Sequence, residues 1–286
     1  MKKIIALLVF TIVTFSGFSQ ENQEEKSNIQ TYTPSKLLKK GQWDIKWFNN
    51  LYTETKGRYN GVKSDKDRET YFTSSIDVFT GVSENNKLNV GLLIEMRSNV
   101  NNDRKAFDVF KFDGETNSAR SGVTSFAPAI KFNPLKNVSN FTVQTAFHIP
   151  LIDNETENGV YLDQTAYTFQ NRFFYDYTFP SGDWQLFTEL NTEYNFGEDT
   201  SFANNTFVLA PGVFMSYFPN QEFTILGFAQ HQQRMGDSKQ DYTALGFGGK
   251  YQLCKTLNLE ILYSNFVRGN DTGLGQSFNI GLRALF

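Results

Sequence analysis

The sequence predicts an all-β chain: a closed antiparallel transmembrane β-barrel of about 12 strands, with short turns at one rim and long loops at the other. Three observations predict it. Aromatic residues make up 16% of the 286 residues, yet hydrophobic residues total only 40% and the mean hydropathy is −0.42. Apolar residues that plentiful in a chain that polar must be dispersed, and they recur at every second position, the period of a strand with one apolar face. The breaks between these runs alternate between long and short, as they do around a membrane barrel; a soluble sandwich has no reason to sort its loops in this way.

Residues 1–19 have the form of a secretory signal peptide: Lys2 and Lys3, an apolar core over 4–15, then small residues up to Ser19 and cleavage before Gln20. The core is shorter than the roughly 20 apolar residues a membrane helix needs. Residues 20–40 are polar and show no period of two, so they read as a flexible periplasmic lead; the sharper alternative is a small plug reaching into the lumen. The barrel then occupies 41–286, in runs at 42–53, 70–80, 87–98, 122–132, 139–149, 165–179, 183–196, 206–218, 221–232, 241–253, 256–267 and 276–286. The long breaks are 54–69, 99–121, 150–164, 197–205, 233–240 and 268–275. The short ones centre on 83–86, 133–137, 180–182, 219–220 and 254–255, and most carry the Pro, Asn, Gly and Ser that suit tight turns. An even strand number lets the ring close antiparallel and both chain ends lie at the short-turn rim.

The run 87–98 shows its faces most clearly. Leu88, Val90, Leu92, Ile94 and Met96 share one side; Asn89, Gly91, Leu93, Glu95 and Arg97 share the other. In 139–149, Phe141, Val143 and Phe147 oppose Thr142, Gln144 and His148, and in 183–196 Trp184, Leu186 and Leu190 oppose Gln185, Glu189 and Glu193. Charge stays on one side, as expected where the other meets lipid, since Lys or Arg at mid-membrane costs about 2–4 kcal/mol. The runs 206–218 and 221–232 are apolar at both parities and leave their faces open. Glycines within strands, among them Gly91, Gly212 and Gly246, are expected to relieve crowding. Aromatics near segment ends, including Trp43, Trp47, Phe48, Tyr71, Phe72, Trp184, Tyr217 and Tyr251, are expected as girdles at the bilayer boundaries.

Carrying the alternation through gives the candidate lumen lining: Asp44, Lys46, Asp77, Glu95, Arg97, Lys131, His148, Arg172, Asp176, Glu189, Glu193, Lys250, Glu260 and Arg283. Their acids and bases nearly balance, so they form either a charged constriction that selects solutes or a salt-bridge network with a narrow passage through it. The loop 99–121 contains a strand-like run at 107–112, to be folded inward as a constriction, set above the wall, or exposed as a hairpin. No catalytic residue, metal or cofactor is expected: the chain has 1 Cys (Cys254) and 2 His, and no phosphate loop or Gly-x-Ser-x-Gly elbow. The net charge of −3 and the absence of a basic run argue against a nucleic-acid partner.

The last run puts Phe278, Ile280, Leu282, Ala284 and Phe286 on one face and ends the chain on an aromatic. With the signal peptide and the sorted loops, it resembles bacterial outer-membrane β-barrels. With Gly41-Gln42-Trp43-Asp44 at its opening, the chain is similar to the transporter-like barrels of the phenol-degradation outer-membrane group of Bacteroidota. The resemblance implies an assembly signal at 278–286 read by the barrel-assembly machinery, outer-membrane lipid and lipopolysaccharide as surroundings, and passage of small, hydrophobic molecules. The expected function is a passive channel or transporter for small molecules; the alternatives are a lipid-modifying enzyme centred on His148, or a structural or adhesion barrel with partner-binding loops.

Overall fold

A computed structural model describes residues 34–286, so the expected signal peptide and the start of the 20–40 segment lie outside the described residues. Twelve long strands follow one another: β1 (Trp43–Tyr59), β2 (Val62–Gly81), β3 (Leu88–Val100), β4 (Ala119–Phe132), β5 (Phe141–Pro150), β6 (Tyr167–Thr178), β7 (Trp184–Phe196), β8 (Thr206–Tyr217), β9 (Phe223–Gly236), β10 (Gln240–Cys254), β11 (Leu257–Asn270) and β12 (Gln276–Leu285). Each pairs antiparallel with its chain neighbours, and β12 returns to β1 with Asp44 opposite Leu285 and Thr53 opposite Gln276. Closure pairs every long strand on both sides, so none is left as an edge.

The packing is inverted relative to a water-soluble protein. Side chains within the ring include Asn89, Thr142, Gln144, Asn195 and Asn258, all nearly fully buried, whereas Ile94, Ile130, Phe247, Ile261 and Ile280 face out and are exposed. Lipid makes such a wall stable, because the apolar row meets acyl chains and every backbone polar group is paired within the sheet. Trp43, Trp47, Trp184, Tyr217, Phe223, Tyr251 and Phe286 ring the short-turn rim on the outside as a girdle. Three of the aromatics expected there behave otherwise. Phe48 shares the inward parity of Lys46, whose ammonium lies 4.8 Å from its ring. Tyr71 turns inward opposite Tyr52. Phe72 faces out but is covered by a loop.

The stretch 54–69, expected as a loop, is instead a tall hairpin. Pairing continues through Glu54–Glu69 and Lys56–Asp65 to Tyr59–Val62, across a single bulge. Asn60 and Gly61 close it with φ of 50° and 79°, the backbone of the two-residue turn whose twist matches flanking strands. The run 107–112 is not strand-like either: Ala106–Lys111 forms a 3-10 turn. The register also assigns the two faces left open. In β8, Val208, Ala210, Gly212 and Phe214 face in, opposite Glu193, Asn191, Glu189 and Phe187 of β7, while Phe207, Val213 and Met215 face lipid. Both parities read as apolar because the lumen wall itself is apolar here.

Candidate functional site: the barrel lumen

Charged groups are spread around the lumen wall, and most of them are engaged locally, several in ion pairs. At the seam, Arg283 donates from Nε and Nη2 to the two carboxylate oxygens of Asp44, at 2.7 and 2.5 Å. Lys250 meets Glu260 at 2.9 Å, and Arg172 holds Glu189 at 2.7 Å. Arg97 binds Glu95 at 2.7 Å and reaches Asp163 at 3.1 Å. Lys131 lies over the Phe174 ring at 5.4 Å. Glu193 accepts from Gln170 and Asn191, at 3.1 and 2.8 Å. Asp176 accepts a hydrogen bond from Ser35. The arrangement is a chain of pairs around the wall rather than one ring of like charge. Between them lies a cavity of about 140 Å³ lined by Ser75, Asp77, Glu95, Ser125, His148, Gln170 and Arg172. The His148 Nε2 lies 3.3 Å from the Gln170 side-chain Oε1, and the ring faces this cavity, on the opposite side of the wall from lipid.

Among these charges the lumen carries aromatic rows that the sequence did not reveal. On β6 to β9, Phe174, Phe187, Phe214 and Phe228 follow one another with ring centroids 6.0, 5.5 and 5.3 Å apart. Towards the long-loop rim, Tyr71, Tyr52, Phe266 and Tyr242 form a second row across β2, β1, β11 and β10, at 6.1, 4.7 and 4.2 Å. Ala244 and Gly246 join the two rows along β10. A Cβ on Gly246 would strike the Phe228 ring and the Tyr263 carbonyl, so the missing side chain is what seats that ring. The signal was present in the sequence as in-strand glycines beside apolar runs of both parities.

Two segments narrow the passage. At the long-loop rim, residues 151–166 turn inward through a small hairpin, Thr156–Glu157 with Val160–Tyr161. Asn99 donates to the carbonyls of Tyr161 and Leu162, both at 2.9 Å, and Arg120 donates to those of Asn154 and Glu155, both at 3.0 Å. The Arg97–Asp163 pair latches this lid to the wall. The inward loop is thus 151–166 and not 99–121, for which an inward fold was one of three alternatives. Burial, opposed by Arg97 and reinforced by Glu95, holds the Asp163 carboxyl up at about 6. A carboxyl raised on docking favours the docked lid fully below the ordinary Asp value of about 4 and loses that contribution as pH rises through about 6. Conductance is therefore expected to rise between these two pH values, and Asp163→Asn to flatten the profile in planar-bilayer recordings.

At the opposite rim, the described end of the expected lead, residues 34–40, lies inside the barrel rather than trailing from it. Leu38 packs among Phe79, Leu93, Ala127, Ala129 and Ala146, and its N–H donates to Asn89 Oδ1 at 3.2 Å. Ser35 is fully buried and its carbonyl accepts from the Thr142 hydroxyl. Gly81 makes the approach possible, since a Cβ there would collide with the carbonyls of Lys39 and Leu38.

The fold has known counterparts. An outer membrane channel from Pseudomonas putida F1 superposes with a TM-score of 0.69 at 9% identity, over 88% of this chain and 98% of that one. The β-domain of the Bordetella autotransporter BrkA superposes with a TM-score of 0.56 at 11% identity, over 85% and 98%. No curated protein matches the sequence. The profile of the family described as "Putative MetA-pathway of phenol degradation" matches residues 95–283, from the third strand to the last. The chain belongs to that family, as a closed twelve-stranded outer-membrane β-barrel.

Proposed function

We propose that the barrel is a passive channel for small amphipathic molecules, with an apolar ring or chain on one side and a polar edge on the other. One observation carries this reading: the lumen wall interleaves aromatic rows with charges that are mostly held in local pairs. Aromatic rows joined by Ala244 and Gly246 offer apolar contact, and beside them paired acids and bases offer hydrogen-bonding partners without a large excess of either sign. A solute sliding along such a passage exchanges contacts at each level, which suits conduction: binding strong enough to enter and weak enough to leave. The description of the family and the similarity to an outer membrane channel support the same direction.

His148 gives no support to lipid hydrolysis, because its ring is turned to the lumen and engages an amide. Purified protein in planar bilayers is expected to show discrete conductance steps, and in liposome-swelling assays to admit benzoate faster than a sugar of similar size. Folded protein that neither conducts nor admits either solute overturns the proposal.

A further inference from the structure

Residues 101–118 fold down over the outside of the wall. Their 3-10 turn sets Val109 into a cluster with Leu51, Phe72, Val100 and Ala119, and Met96 packs at its margin. These wall residues share the outward parity of their strands: Leu51 stands opposite Phe72, in register with exposed Trp47 and Ile76. Ser98 donates to the Val109 carbonyl at 2.6 Å and fixes the turn against the wall.

The turn buries the apolar surface it covers and presents a new one in its place. Phe107, Phe110 and Phe112 are 75%, 47% and 45% exposed. Phe110 packs edge-on to Phe72 at 5.0 Å and stacks with Phe107 at 6.1 Å. The polar groups of the same turn are satisfied internally, with Arg104 paired to Asp108 and Asp113, and Lys111 to Asp108. The strap therefore has a paired polar side and an unpartnered ring side.

Its height identifies what meets the rings. From Trp43 in the inner girdle to Leu51 beneath the strap is about 26 Å along the strand at roughly 3.3 Å per residue. With barrel strands tilted about 35–45°, that is about 20 Å along the axis, inside an apolar band about 25 Å tall. We propose that the strap is a membrane-seated foot, its three rings lying in the acyl layer of the outer leaflet. Lipid is the occupant because the patch continues the lipid-facing wall at the same height. The base of this loop also grips the lid, through Asn99, Arg120 and Asn101, whose amide donates to Gly159 O at 3.0 Å. Lipid packing around the foot thereby bears on the lumen entrance.

The test uses the full chain in dioleoylphosphatidylcholine vesicles, with Cys254→Ser and an environment-sensitive dye on Phe107→Cys; Asn117→Cys, in an exposed part of the same loop, is the control. Dye at 107 is expected to be quenched by shallow spin-labelled lipid at least about twofold more than dye at 117, as for an interfacial segment. Quenching at 107 by aqueous iodide equal to that at 117, with no effect of the labelled lipid, overturns the proposal. So does energy transfer between labelled copies without lipid quenching, which assigns the patch to a second copy. As a measurement free of the label, Phe107→Ser with Phe110→Ser should fold normally and make Lys105 and Lys111 more susceptible to trypsin in vesicles. Unchanged cleavage of a folded double variant counts against the foot.

Discussion

Leu38→Asp is expected to raise single-channel conductance more than any other substitution in the lumen. Leu38 is the apolar anchor of the segment at the short-turn rim, 5% exposed among Phe79, Leu93, Ala127, Ala129 and Ala146. Removing a buried Leu forfeits about 2 kcal/mol, and burying a carboxylate without a partner adds several more. A loss above about 3 kcal/mol lowers the docked-to-undocked ratio more than about a hundredfold. Leu38→Ala, which loses burial alone, should give an intermediate rise. Planar-bilayer traces in which all three proteins have the same step size would show that this segment does not limit passage.

Arg283→Met should give the largest loss of stability, about 3–5 kcal/mol, because it strands the largely buried Asp44 carboxylate at the seam. Asp44 and Arg283 belong to the first and last strands, so their pair bridges the one contact in the ring made between chain ends. Asp44→Asn combined with Arg283→Met should recover most of the loss, since no buried charge remains. At the exposed Arg268–Asp241 pair, Arg268→Met is expected to cost less than about 1 kcal/mol. Urea unfolding in lipid vesicles measures all of these; equal losses at the two sites would contradict the account of the seam.

The faces of β3, β5, β7 and β11 were legible because each carries nearly all its charge and amides at one parity, which lipid enforces. Asp44, Arg97, Arg172, Glu189, Glu260 and Arg283 follow directly from that alternation. Their partners do not, because pairing depends on register between strands far apart in sequence, as with Asp44 and Arg283. The aromatic rows were hidden for a different reason: an apolar lumen wall removes the contrast between faces on which the reading depends. The β1–β2 hairpin was obscured by its polar composition, although Asn60-Gly61 carried its turn. Residues 34–40 offered only Leu37 and Leu38 in a polar run, too little for a period to register.

The polar interior has a consequence for the chain before it reaches its membrane. In water, a strand such as Leu88–Val100 has nothing to collapse upon that would leave Glu95 and Arg97 inside and Leu92 and Ile94 outside. The side chains that line the finished lumen are those water would draw to the surface, and the finished surface is what water would drive together. An aqueous crossing therefore favours clumping over folding. Held in water without lipid, the unfolded chain is expected to aggregate unless its rows of Phe and Ile are shielded.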